Sequence, residues 1–345
     1  MLVGYMRTFK KPKEFVKLLA KTTKYHGIDL VYFHPKDIDM ERNVVNGKVL
    51  VDNKWVTKEV PVPPFVDVTV YSFKYKEQIK FLRKHSYFTT DRLSSKSNMY
   101  TKLKEDGEFA DILIPTIEDS DFKDFYKFLK HHNQIVMKPK RGHKGQGIYK
   151  LAKEKNKYIL SYGNNSEKIS KGKLKKFYKK NLAPKNYIYQ KYIASRTKHG
   201  DPFDCRIRLE KNGKGEWEIV INLIRIGTGQ KVVSNIAQGG CISYLDPFLQ
   251  ANYGDQWKEI KNSINEVGKT FPAKLEKLFN KELGSLGIDL GIDENGKLYF
   301  FESNNAPGVE GAWGEIALVK SEYYNYMLNK LSGKNSENNI RTAQH

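Results

Sequence analysis

LGIDLGIDENGKLYFFESNNAPGVEG, Leu286–Gly311, is the stretch whose reading decides the fold. Its Asn295-Gly296 pair sits between two apolar runs, the strongest short-range hairpin signal a sequence carries. With those two residues as a two-residue turn, facing residues have numbers summing to 591, and Asp289 lands opposite Glu302. Like charges directly opposite each other destabilise a sheet, so this pairing calls for a neutralising partner. Asn304 lies two residues past Glu302, on the same face of the strand. Two carboxylates and an amide oxygen then converge as a hard-oxygen set suited to Mg²⁺ shared with phosphates, with Mn²⁺ as a substitute. The bland alternative is an exposed hairpin with scattered acids.

Upstream, Gly254–Phe279 carries Trp257, Ile260, Ile264, Val267, Phe271, Leu275 and Phe279 at three- and four-residue steps, which predicts a long helix. Phe203–Leu209 and Trp217–Arg225 read as strands, as do Gln134–Lys138, Ile148–Leu151 and Tyr187–Ile193. Asp121–His131 and Leu174–Leu182 read as helices. Between two strands, Pro139–Gly147 holds Gly142, Gly145 and Gly147, and Lys138 stands at its mouth. Glycines let a backbone aim its amides at phosphate oxygens, and a lysine adds a point charge. The pattern is not a P-loop, and a flexible basic turn is its plain alternative.

At the N-terminus, Leu2–Met6 predicts a strand, Lys13–His26 a helix closed by Gly27, and Ile28–Phe33 a buried strand. Asn46-Gly47 predicts a hairpin turn, and Pro61, Pro63 and Pro64 stiffen the approach to Phe65–Tyr71. This opening has no G-x-G-x-x-G phosphate loop. Lys74–Asp106 is a helical connection. From Gly333 the chain is polar and aperiodic, which predicts a disordered tail.

The 345 residues carry 60 Lys+Arg against 39 Asp+Glu, a net +21. That length predicts two or three packed units. The excess peaks over 121–185, where 19 basic side chains face 4 acidic ones, a local net of +15. Such a surface attracts anions, acidic substrates and polyanions among them, but the favoured reading for most of these lysines is a plain solvated face. Lysine far outnumbers arginine, which argues against base reading, and no nucleic-acid-binding motif is present. No apolar run is long enough to span a bilayer, and the opening lacks the form of a signal peptide. Cys205 and Cys241 form no framework or metal spacing, so a reducing, cytoplasmic setting is expected. His143 and the His131-His132 pair have no partners at metal spacing.

Taken in order, VMKPKRGHKGQGI, YIYQKYI, DCRIR and IDLGI…FFESNNAPG resemble ATP-grasp enzymes from about Thr89 to Tyr326. The segments VGYMR and VYFHPKDI…W…VPVPP resemble the N-terminal domain of the YheC/YheD-type, endospore coat-associated group. The resemblance implies an α/β fold of α+β subdomains that clamp ATP, behind a Rossmann-like pre-ATP-grasp domain. It places that first domain at 1–88 and the ATP-grasp domain at 89–332, with a lid at about 134–194.

The same resemblance implies residue roles. Lys138 and Lys96 look like the two nucleotide lysines, with Lys102 a rival to Lys96. Gln190, Lys191, Tyr192 and Ile193 resemble the hinge strand beside adenine. Asp204 matches a ribose- or substrate-facing acid and Arg206 a phosphate-facing base. Asp289, Glu302 and Asn304 match the Mg²⁺ triad, in agreement with the hairpin reading. Arg225, Ser234, Asn235, Gly239 and Gly240 fall where the family stabilises transferred phosphate and substrate carboxylate. Lys191 departs from the second acid that often follows the hinge glutamine. Ser303 replaces a usual Val or Ile, and Ala194–Pro202 is longer than in short relatives.

The implied activity is an ATP- and Mg²⁺-dependent carboxylate–amine ligase working through an acylphosphate. The absence of a Ser-His-Asp or Cys-His arrangement fits, because that chemistry needs no protein nucleophile. The partners are then a carboxylate and an amine of unstated identity. Two other readings stand beside it: a small-molecule kinase on the same fold, and a non-catalytic spore-coat or polyanion-binding protein. Many proteins of this fold form dimers, and the sequence leaves the oligomeric state open.

Overall fold

Leu2–Met6 folds as β1 and pairs in parallel with β2 (Asp29–Phe33) on one side and β6 (Phe65–Val68) on the other. The helix between β1 and β2, α1 (Glu14–Tyr25), buries Phe15, Val16 and Leu19 at helical spacing and ends at Gly27, at φ 68°. Strands β3 (Ile38–Asp39), β4 (Val44–Val51) and β5 (Lys54–Pro61) extend the sheet, in the order β3-β4-β2-β1-β6 with β5 on β4. The computed structural model describes every residue except 89–92, 119, 141–146, 164, 228–239, 310 and 343–345.

Asn46-Gly47 lies inside β4 and not at its turn. The turn is Asp52-Asn53, both at positive φ, with Val51 paired to Lys54. Gly47 answers a different demand, since a Cβ there would sit 2.3 Å from Val31 Cγ1 on the neighbouring strand. An Asn-Gly pair marks either a left-handed turn or a close approach, and only the packing tells which.

After α2 (Lys76–His85) and α3 (Lys96–Asp106), a second sheet forms in the order β11-β10-β9-β8-β12-β7. Its strands are β7 (Thr116–Glu118), β8 (Gln134–Pro139), β9 (Tyr149–Glu154), β10 (Lys157–Tyr162), β11 (Asn165–Ile169) and β12 (Tyr187–Lys191). Helices α4 (Phe122–His132) and α5 (Lys171–Phe177) cover one face through Phe125, Leu129 and Leu174, which pack on Ile135, Met137 and Leu151. Asp121 caps α4 by accepting the Asp124 N–H at 2.9 Å. The lysine-rich stretch is this sheet and its helices. Their apolar residues are spent on the core, which leaves the lysines to the surface.

The third sheet, β15-β14-β13-β16-β17, holds β13 (Phe203–Lys211), β14 (Trp217–Ile226), β15 (Cys241–Tyr244), β16 (Ser285–Ile292) and β17 (Leu298–Asn304). Its strands alternate. Cys205, Ile207, Leu209, Ile288 and Leu290 point into the core under α6 (Leu245–Tyr253) and α7 (Trp257–Phe279). Burying each such aliphatic side chain contributes roughly 1.5–3 kcal/mol. The opposite face carries Asp204, Arg206, Arg208 and Asp289. Helix α8 (Trp313–Thr342) packs on α1 and on β13 and β14, joining the first and third sheets. Its backbone stays helical past Gly333, where composition reads as a tail.

Candidate active site

The β16–β17 hairpin turns through three residues and not two. Asp293 N–H donates to Lys297 O at 3.1 Å, Gly296 N–H donates to Asp293 O at 3.0 Å, and Gly296 sits at φ 78°. Near the turn the pairs are Ile292 with Leu298 and Leu290 with Phe300, one residue off the predicted register. A bulge then intervenes. Phe301 is the extra residue of β17, and beyond it Asp289 faces Glu302 and Gly287 faces Asn304. The sequence-based pairing is right although its turn is wrong, because bulge and turn offset each other. Phe301 lies over Gly291, where a Cβ would be 2.2 Å from its Cζ.

The neutralising partners of the carboxylate pair come from the next two strands. Arg206 is paired with Asp289 across β13 and β16, and Asp204 with Arg225 across β13 and β14. Arg206 Nη2 donates to Asp289 Oδ2 at 2.9 Å, and its Nε donates to Oδ1. Arg225 Nη2 reaches Asp289 Oδ2 at 2.9 Å and also holds Asp204 with bonds of 2.6 and 2.9 Å. Burial works to raise the Asp289 pKa, but the two guanidiniums outweigh it and hold the carboxyl below the usual range. Arg225 is pushed upward by Asp289 and Asp204 against the opposing effect of burial. Cys205, between Asp204 and Arg206, points to the core. Burial pushes its thiol up, so it packs and does not react.

Across this row, three carboxylates (Asp204, Asp289, Glu302) lie beside two guanidiniums, with Lys138 opposite. Asn304 Nδ2 donates to Glu302 Oε1 at 3.1 Å, so the amide nitrogen is the engaged atom and its oxygen is the donor left for a cation. The oxygens of Asp289, Glu302 and Asn304 form an all-oxygen set, which fits Mg²⁺.

The second sheet faces this row. By register, Val136, Lys138, Lys150, Ile188 and Gln190 share the face opposite the α4–α5 core. Lys138 Nζ is 5.5 Å from the Phe301 ring centre, so the lysine of the glycine loop meets the metal hairpin at its bulge. Gln190 is buried, and its Nε2 donates to Thr116 Oγ1 at 3.0 Å. Lys191 and Tyr192 give their N–H groups to Pro115 O and Gln134 O. Gly147 has φ 73°, and its carbonyl accepts from Tyr187 OH at 3.0 Å.

Lys96 opens α3 behind its cap, Ser95, whose Oγ accepts the Asn98 N–H at 3.2 Å. Lys102 is not its rival. Its ammonium donates to Leu278 O at 2.9 Å, at the carboxyl end of α7, where a cation suits the helix dipole. Gly142, Gly145, Ser234, Asn235 and Gly239 lie outside the described residues, and Gly240 directly precedes β15.

Sequence reasoning missed four groups on this face. Lys150 Nζ sits 3.6 Å over the Tyr192 ring, and burial, then the Arg196 charge, lowers its pKa to about 8. Glu118 accepts from Ser97 and pairs with Lys140 at 3.1 Å. Strand alternation from Lys138 would have found Lys150. Glu118 had no local signal.

A family model described as YheC/D like ATP-grasp matches residues 85–324. The chain belongs to that family. It is 23% identical to endospore coat-associated protein YheD of Bacillus subtilis (strain 168) over 332 residues, 89% of this chain and 70% of YheD. It is 24% identical to YheC of the same organism over 321 residues, 89% of this chain and 88% of YheC. Among solved structures, a Chryseobacterium gregarium RiPP-associated ATP-grasp ligase, in complex with ADP and a leader and core peptide, superposes with TM-score 0.51. That match is 12% identical over 96% of this chain and 97% of that one. D-cycloserine synthetase DcsG superposes with TM-score 0.53 at 13% identity, over 94% and 99% of the two chains. At these identities the structural matches establish the ATP-grasp fold. Among the described residues, no helix of this YheC/D-like chain is long and apolar enough to cross a membrane.

Proposed function

We propose that this YheC/D-like protein is an ATP-dependent carboxylate–amine ligase. The observation that carries the reading is the row Arg225–Asp204, Arg206–Asp289, Glu302 and Asn304, laid across four strands under Lys138. A carboxylate pair, two arginines and an opposed lysine are what a triphosphate with its cation needs. Mg²⁺ bound to Asp289, Glu302 and Asn304 would neutralise charge on the β- and γ-phosphates. Arg206 and Arg225 supply positive charge for the transferring phosphoryl group, and Lys138 for the phosphates on the lid side. A substrate carboxylate oxygen attacks the γ-phosphorus and the bond to ADP breaks. An amine nitrogen then attacks the acyl carbon, phosphate leaves with the bond electrons, and the amine gives up a proton. Closure of the second sheet keeps water from the acylphosphate.

The test is ATP turnover with hydroxylamine as the trapping amine, over a panel of carboxylic acids. Hydroxamate formed with ADP and phosphate supports the ligase. A stable phosphorylated product without hydroxamate identifies a kinase. No Mg²⁺–ATP binding by thermal shift removes both enzymatic readings and favours the non-catalytic, polyanion-binding one.

A further inference from the structure

The face of β13 that carries Asp204 and Arg206 continues with Arg208 and Glu210, and there it meets the first sheet. A cavity of about 180 Å³ lies at this seam, beyond the carboxyl ends of β1 and β6. Its charged lining is Arg7, Arg208 and Lys320 against Asp67.

Asp67 is fully committed. It takes Arg7 Nη2 at 2.8 Å, Lys320 Nζ at 2.9 Å and the Tyr324 hydroxyl. Behind the lining, Glu210 takes Arg208, the Ser285 hydroxyl and Lys320, the last at 3.3 Å. Three cations therefore share two carboxylates. Arg208 is 4% exposed, and its Nε has no partner among the described residues. A purely structural lock would balance its charges. This one is an anion short, beside an empty space.

We infer that the cavity is the anchor for a resting carboxylate of a small acidic co-substrate. The inference rests on the ligase reading and narrows its substrate class. Arg208 is two residues from Arg206 on one strand face, which is a step of about 7 Å. The loop Asn305-Ala306-Pro307 in the lining directly follows the metal ligand Asn304. An acid anchored here by one carboxylate can present a second, about 7 Å away, to the Asp289 face. The volume admits a few heavy atoms and no folded peptide. The class is a short dicarboxylate or a molecule of that charge spacing.

The experiment is thermal unfolding of the full chain with dicarboxylates from malonate to adipate, beside their neutral diamides at matched ionic strength. A saturating rise of at least about 2 °C with one or more acids, absent with the diamides, is expected. Thr69→Glu places a carboxylate in the lining and should abolish that rise while keeping the Mg²⁺–ATP shift, which also shows that the variant is folded. Thr8→Glu serves if Thr69→Glu does not fold. Equal effects of acid and diamide, no response to any acid, or an undiminished response in the variant overturns the anchor. Loss of the Mg²⁺–ATP shift in the wild type sinks the ligase reading instead, so the two failures are separable.

Discussion

β13 carries two charged clusters on one face, and they differ in the sign of what they lack. At the cleft end, Asp204, Asp289 and Glu302 outnumber Arg206 and Arg225. At the seam end, Arg7, Arg208 and Lys320 outnumber Asp67 and Glu210. The first faces Lys138, whose Nζ lies 5.5 Å from the Phe301 ring centre. The second is short of an anion and lines the cavity at the seam of β1, β6, β13 and α8. Identical residue types thus line a proposed nucleotide site and a seam. The local charge balance distinguishes them.

The largest expected effect tests the seam cluster. Asp67→Asn leaves Arg7 and Lys320 without their carboxylate and should cost about 3–5 kcal/mol in denaturant unfolding. Asp289→Asn should cost clearly less, because Arg225 keeps Asp204 as its partner. Equal losses would erase the distinction between the two ends. Burial alone would raise the Asp67 pKa, but Arg7 and Lys320 overcome it and drive it well below the carboxylate range. Its contribution is therefore present above the unfolded pKa of about 4 and lost as pH falls toward the depressed native value. The stability gap between wild type and Asp67→Asn should narrow below about pH 4.

Next comes chemistry at the open end. Glu302→Gln should lower Mg²⁺–ATP-dependent phosphate release by at least about 100-fold, roughly 2.7 kcal/mol of barrier. Its melting temperature should stay within a few degrees of wild type. A variant that turns over ATP at the wild-type rate would remove Glu302 from the site.

A smaller effect tests the link between cleft and lid. Gly291→Ala forces Phe301 off its seat and should cost about 1–3 kcal/mol of stability. Because Phe301 meets Lys138, the Mg²⁺–ATP thermal shift should weaken as well; an unchanged shift would mean that the contact does not position the lysine.

The smallest concerns Lys150. Its native pKa, lowered to about 8, lies below the unfolded value of about 10.4, so the buried charge opposes folding at neutral pH. Wild-type stability gains from this group as pH rises from 8 toward 10.4. Lys150→Met should be more stable than wild type below pH 8, with the advantage gone near pH 10.4. An advantage independent of pH would assign it to packing.

Much of the active site was legible because its parts are close in sequence. Asp289, Glu302 and Asn304 lie on one hairpin, where alternation alone sorts side chains by face. α4 and α7 were legible through apolar spacing. The three-residue turn and the Phe301 bulge were not, since both depend on how Phe301 packs over Gly291. The resemblance to ATP-grasp enzymes brought Arg206, Arg225 and Lys138 into the same site, and the register of β13, β14 and β16 joins the two arginines to Asp289. Asn46-Gly47 misled because a glycine required by Val31 looks the same in sequence as one required by a turn.

By itself the sequence determined the periodic elements, the pairing of Asp289 with Glu302 and the positive charge of the second sheet, all of which follow from local geometry and composition. Tertiary structure alone decided the seam. Arg7, Asp67, Arg208 and Lys320 are spread over more than 300 residues, and no short-range rule relates them. Their meeting, and the one positive charge left over, depend on α8 packing across two sheets. Charge balance in a buried cluster is a property of neighbours in space.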